Sequence, residues 1–237
     1  MEDQTSSPEL FMFLASTVHD MKNSISVVSG TLESLLANGG THNGDDAAFL
    51  KMAHMLYQTK RLNDNLIQLL ALYKDVGKPG YPFDVQPQMV GQLVSQVVDQ
   101  EKILLSSKGI VMQTAFPPEL IWYFDEDLII GVLGHAINNA IHYTRDTIRL
   151  SAREADGLLE FRVEDNGDGF SPALLEAGAA AMHGLSAGVD FSTNSTGLGL
   201  YFSSVVAKMH KTRARSGSIA LENGGALGGG CFILRLP

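Results

Sequence analysis

Cysteine is almost absent: Cys231 is the single one in 237 residues. A lone thiol makes no internal disulfide, and no Cys/His cluster has zinc-ligand spacing. Long apolar runs are missing as well. A run such as 128–134 falls far short of the ~20 residues that a membrane-spanning helix needs. Basic residues are few, 17 against 26 acidic, for a net charge of −9, and they form no long tract. That balance excludes nonspecific binding to nucleic acid or to an anionic membrane surface. The opening MEDQTSSPEL is acidic and polar, unlike a secretory or mitochondrial leader. Together these absences predict a soluble protein of a reducing compartment, the cytoplasm. What is present is ordinary globular material, 45% hydrophobic and 18% charged, long enough for one large domain or two small ones.

The first third predicts two long helices. Ser7, Pro8 and Glu9 form a start signal, and apolar residues follow at Leu10, Leu14, Val18, Met21, Ile25, Val28, Leu32 and Leu35. The steps alternate between three and four, which is a heptad-like seam. Asn38, Gly39 and Gly40 end it. A second seam runs through Phe49, Met52, Leu56, Thr59, Leu62, Leu66, Leu69, Tyr73 and Val76 before Gly77-Lys78-Pro79-Gly80. A hairpin of two such helices leaves apolar surface uncovered. Pairing with a second copy into a four-helix bundle covers it, and packing on the rest of the chain is the alternative.

From residue 81 onward the pattern changes to α+β. Strands are predicted at 81–85, 109–116, 120–124, 147–153, 158–164, 218–222 and 231–236, and helices at 89–106, 127–143 and 198–210. A turn is expected at Glu154-Ala155-Asp156-Gly157. The stretch 171–196 is Gly/Ala-rich and contains no Lys or Arg.

Four segments could carry chemistry. Asp165-Asn166-Gly167-Asp168-Gly169-Phe170 follows a strand, where a carboxylate can accept from an exocyclic amine and glycines allow close backbone approach. Taken alone it also fits a plain turn. Thr196-Gly197-Leu198-Gly199-Leu200 opens a helix and suits phosphates, although glycine-rich helix entries are common. Asn139 lies near the end of a helix, with His135 four residues before it on the same face and His142 and Tyr143 after it. An Asn carbonyl is a good hard-oxygen ligand for Mg²⁺. The plain alternative is an exposed polar face. On the first helix, His19-Asp20-Met21-Lys22-Asn23 places His19 beside the apolar seam with Asn23 on its face.

The order of these segments resembles the catalytic core of the sensor histidine kinases of two-component systems. That core is a dimerisation and phosphotransfer hairpin, here 1–77, followed by an α/β sandwich ATP-binding domain of the GHKL type, here 78–237. The resemblance implies that His19 is the phosphoacceptor, that Asp20 orients its ring, and that Asn23 positions water when the phosphorylated partner is hydrolysed. It implies ATP and Mg²⁺ as cofactors, with Asn139 at the metal position and Asp165 on the adenine amino group. Gly167, Gly169, Thr196, Gly197, Leu198 and Gly199 would line the nucleotide beside His135, His142 and Tyr143. The implied partners are a second copy of the chain and a response-regulator receiver domain, and with no sensor segment read ahead of the hairpin a separate upstream sensor is expected as well.

The departures bear on phosphate charge. His135 stands where the family more often has Asn, His142 where it has Lys or Arg, Ser195 where it has Gly, Ser24 where it has Pro, and Cys231 where it has Thr. The stretch 171–196 occupies the place of the ATP lid and offers no Lys or Arg. A cation on phosphate is worth about 1.5–3 kcal/mol, so weak ATP binding is expected. Three rival readings remain: a histidine phosphotransfer protein with a degenerate nucleotide domain, a non-catalytic ATP-binding dimeric regulator, and a serine kinase of the anti-sigma type.

Overall fold

The computed structural model describes residues 25, 27–32, 34–35, 52, 55–56, 59, 62, 83–182 and 198–237. The chain divides into two compact units, Met1–Lys78 and Pro79–Pro237. In the first, the described residues are all helical. Thr31 and Thr59 donate their hydroxyls back to the carbonyls of Val27 and Met55, each one turn earlier. Leu32 and Leu56 are buried, as seam positions should be. Val28, Leu35 and Leu62, on the same seams, are exposed.

The second unit has the order β1 (Gln86–Met89), α1 (Val90–Ser107), β2 (Val111–Ala115), β3 (Ile121–Phe124), α2 (Glu126–Tyr143), β4 (Thr147–Ala155), β5 (Leu158–Asp165), α3 (Pro172–Met182), α4 (Leu198–Met209), β6 (Ser218–Asn223) and β7 (Gly230–Leu236). Five strands form one sheet in the order β2-β4-β5-β7-β6, and β1 pairs with β3 in a separate two-stranded ribbon. The β2–β4 pair is parallel and the others are antiparallel. The expected mixture of helices with antiparallel strands therefore gains one parallel pair, made because β3 and α2 intervene between β2 and β4.

Alternation fixes which side of the sheet carries the core. Along β5, Leu159, Phe161, Val163 and Asp165 point one way and Glu160, Arg162 and Glu164 the other. Leu159, Phe161 and Val163 are buried with Ile148 and Leu150 of β4 and Leu234 and Leu236 of β7. The helices bring Leu93, Val97 and Leu104 of α1, Ile129, Leu133 and Ile137 of α2, and Phe202 and Val206 of α4 to this core. On the opposite face Glu160 is a buried carboxylate, receiving Arg153 at 2.7 Å and Arg235 at 2.8 Å. These two arginines come from the flanking strands β4 and β7, directly in register with Glu160.

Three sequence expectations need correction or completion. The strand expected at 81–85 lies later, at Gln86–Met89, because pairing with Ile121–Phe124 sets its place rather than its own side-chain pattern. The Gly/Ala-rich stretch opens with a helix, α3. Ser171 caps it by accepting the Leu174 N–H at 3.3 Å, Pro172 fits the first turn, and leucine and alanine favour the helical state. The turn after β4 is tighter than the four residues expected. Ala155 pairs with Leu158, leaving Asp156 and Gly157 as a two-residue loop with φ of 55° and 71°.

Candidate functional site

Asp165 closes β5 on the helix-facing side of the sheet and is 5% exposed. Its Oδ1 accepts from the backbone N–H of Gly167 at 2.7 Å and of Gly230 at 3.2 Å. Two donors on one oxygen fix the carboxylate's orientation. The surroundings must be glycine. A Cβ at 167 would strike the Tyr143 carbonyl, one at 229 would strike Asp165 itself, and one at 230 would come within 2.8 Å of its Oδ2. Gly169 follows at a φ of +84°, a conformation that L side chains rarely adopt.

The loop is held on both sides by asparagines. Oδ1 of Asn166 accepts from the Thr144 hydroxyl at 2.8 Å and from the backbone N–H groups of Arg145, Asp146 and Thr147 at 3.1–3.2 Å. Its Nδ2 donates to Asp146 at 2.8 Å. This side chain ties the Asp165 loop to the turn after α2. On the other side Asn223 accepts from the Phe170 N–H at 2.7 Å and donates to the Phe170 carbonyl at 2.9 Å. Sequence reasoning missed both as functional residues. Asn166 had a signal, its place between Asp165 and Gly167. Asn223 had none, since its partner lies 53 residues away. The Arg145–Asp168 pair at 2.9 Å spans two largely exposed side chains and adds little stability.

Helix α2 supplies the other group. Asp125 caps it by accepting from the Leu128 N–H at 3.1 Å. Near its other end, His135 and Asn139 share a face, and Asn139 donates from Nδ2 to Nδ1 of His135 at 3.3 Å. Burial pushes the His135 imidazole down to about 4, so the ring is neutral at pH 7. With Nδ2 engaged, Oδ1 is the oxygen Asn139 can offer to a ligand. One neutral amide oxygen, completed by water and phosphate oxygens, is a donor set that magnesium takes, so the residue present fits the ion. His142 and Tyr143 end the helix with rings 5.7 Å apart, edge to face, and both are exposed. Burial pushes the Cys231 thiol up to about 12, which leaves it protonated.

Asp165, Gly167 and the Tyr143 carbonyl are brought together, Gly169 lies against Asn223, and His135 meets both Asn139 and Gly199 as a second group. Leu198 and Gly199 are the first residues of α4. His19, Asp20, Asn23, Thr196 and Gly197 lie outside the described residues.

Residues 124–237 match the family model of the histidine kinase-, DNA gyrase B-, and HSP90-like ATPases. Among curated proteins the chain is 25% identical over 228 residues to the sensor protein SrrB of Staphylococcus aureus, strain NCTC 8325 / PS 47. That alignment covers 95% of this chain but 37% of SrrB, so the chain spans little more than a third of this relative. Among solved structures, the catalytic domain of histidine kinase ThkA superposes with a TM-score of 0.54 at 20% identity, covering 65% of this chain and 95% of that one. ShkA, solved full-length with AMPPNP, gives 0.57 at 22% identity, covering 95% and 45% respectively. The second unit has the GHKL fold, and these matches support an ATP-binding domain of histidine kinase type.

Proposed function

We propose that the chain is the catalytic core of an ATP-dependent protein-histidine kinase that phosphorylates His19 and passes the group to an aspartate of a response-regulator receiver. The observation that carries this reading is the Asp165 carboxylate. It is buried, fixed by two backbone donors, and closely packed by glycines at 167, 229 and 230, where any Cβ would crowd neighbouring atoms. Oδ2 of Asp165 accepts the exocyclic amine of adenine, and Asn139 on the neighbouring helix faces the phosphate tail. Magnesium held by Asn139 would supply charge neutralisation across those phosphates.

In the transfer, one imidazole nitrogen of His19 attacks the γ-phosphorus. The N–P bond forms as the bond from that phosphorus to the β–γ bridging oxygen breaks, and ADP leaves. Asp20 holds the proton-bearing ring nitrogen so that the other keeps its lone pair for attack. Positioning dominates such chemistry, because the reaction needs an in-line approach. Asn23 would position a water in the reverse task, hydrolysis of the phosphorylated regulator. The exposed seam residues Val28, Leu35 and Leu62 favour a dimer made through the hairpin at 1–77, with the ATP-binding domain at 78–237. The place of action is the cytoplasm, and an upstream sensor supplies the signal.

A second reading has one observation in its favour: 171–196 contains no Lys or Arg to meet phosphate. On it the chain is a phosphotransfer protein whose nucleotide site no longer works. Incubation with γ-labelled ATP and Mg²⁺ separates the two. The kinase gives acid-labile label that is lost in His19→Gln. Acceptance of phosphate from a phosphorylated receiver, with no label from ATP, gives the phosphotransfer protein. Acid-stable label points to a serine kinase, and nucleotide binding without any label points to a regulator.

A further inference from the structure

Helices α2 and α4 cross with their bulk reversed. Gly131 of α2 faces the ring of Phe202, 3.6 Å from where its Cβ would stand. One turn further along α2, the large residue is His135 and the small one is Gly199 of α4. A Cβ at 199 would land within the imidazole, nearest Nε2. The order 131 to 135 on one helix matches 202 to 199 on the other, so the two helices run antiparallel here. Asn139 comes one turn beyond His135, past the point where α4 begins at Leu198. Its Nδ2 can only donate, so Nδ1 of His135 accepts, and the neutral ring carries its proton on Nε2, toward Gly199.

We infer that His135 is a positioning residue, whose imidazole fills the space glycine leaves at 199 and holds the Asn139 amide with Oδ1 turned outward for a magnesium-bound phosphate. This rests on the nucleotide reading above for its magnesium half. The His135–Gly199 seating does not. Two consequences separate it from a plain packing role. Gly199 is glycine on account of the ring rather than of a phosphate. And the ring matters to nucleotide affinity only through the ion.

The test is a double-mutant cycle in the full chain, read first by melting without nucleotide. Gly199→Ala is expected to lower Tm by roughly 3–8 °C, as overpacking does. In a His135→Ala background the same change is expected to leave Tm unchanged or raise it, because alanine favours helix over glycine. An equal drop in both backgrounds overturns the seating. If Gly199→Ala does not fold alone, a folded double variant supports it and an unfolded one overturns it. The second readout is affinity for AMPPNP with Mg²⁺ and with EDTA. His135→Ala is expected to lose about tenfold of the Mg²⁺-dependent gain, on the scale of one hydrogen bond, and nothing in EDTA. His135→Gln, which still offers an acceptor, is expected to restore it to within threefold. Equal loss with and without Mg²⁺, or no rescue by glutamine, overturns the positioning role. If the unaltered chain binds no nucleotide, the proposed function and the magnesium half fall together, and the melting cycle still decides the seating.

Discussion

Gly230 donates its backbone N–H to Oδ1 of Asp165 at 3.2 Å, across 65 residues of sequence. The bond joins the ends of two adjacent strands, β5 and β7, and leaves Oδ2 as the free face of the carboxylate. Asp165→Asn would keep the acceptor at Oδ1 and set an amide N–H where Oδ2 stood, donor against the donor of adenine. We expect stability to change by less than about 1 kcal/mol and nucleotide affinity to fall at least tenfold. Denaturant titration and calorimetry on the same sample read the two effects separately.

Asn166→Ala removes one oxygen that serves four donors. Several of these donors are near solvent, so water takes up part of the loss, and a cost of about 1–3 kcal/mol is expected. Asn166→Asp keeps the oxygen but faces Asp146, now 2.8 Å from Nδ2, with a second carboxylate. Its deficit should shrink when the pH is lowered far enough to protonate one of the pair. Denaturant midpoints at neutral and acid pH test both variants.

Glu160 should contribute to acid sensitivity. Burial opposes its ionisation, but hydrogen bonds and charge from Arg153 and Arg235 outweigh this and hold the carboxyl below its ordinary value of 4.5. A carboxyl lowered on folding stabilises fully above its unfolded value. That stability is lost as the pH falls through the lower folded value. Glu160→Gln should cost about 1–3 kcal/mol at pH 7 and flatten the decline in stability below pH ~4.5. An unchanged acid limb would contradict the role given to the pair of arginines.

His210 acts in a different window. Nε2 accepts from the Asp125 N–H at 3.0 Å, and Nδ1 meets the Val206 carbonyl at 2.8 Å, so the folded ring is neutral with its proton on Nδ1. Phe83 lies edge-on to it, and Asp125 also accepts from the Asp84 N–H. Burial holds the imidazole below 6.5, against the pull of the Val206 carbonyl and of Asp125. The unfolded chain takes up a proton near 6.5 and the folded chain does not, so stability falls as the pH drops below 6.5. His210→Gln should be less stable at pH 8 and show a shallower loss between pH 6.5 and 5.5. Stability curves at half-unit pH steps measure that slope.

Most strands and helices of the second unit were legible because their periods are clean. Leu159, Phe161 and Val163 alternate along β5, and Leu133, Ile137 and Ile141 recur along α2. The strand was expected to end at 164, whereas β5 runs on through Asp165, and its alternation sets that carboxylate on the inner side of the sheet. What stayed hidden was long-range. The parallel pairing of β2 with β4 leaves no local trace, nor does the bond from Asn223 to Phe170. Gly199 read as a phosphate-lining glycine, since the ring that occupies its space belongs to another helix. Asn166 was visible but looked like turn chemistry, because its four donors come from a segment twenty residues earlier.

The most direct test of the central claim is a calorimetric titration of the full chain with Mg²⁺ and AMPPNP, alongside Asp165→Asn. We predict saturable binding at one site per chain, lost in the variant while its fold is retained. No heat from the unaltered chain, or equal affinity in the variant, would contradict a nucleotide site at Asp165.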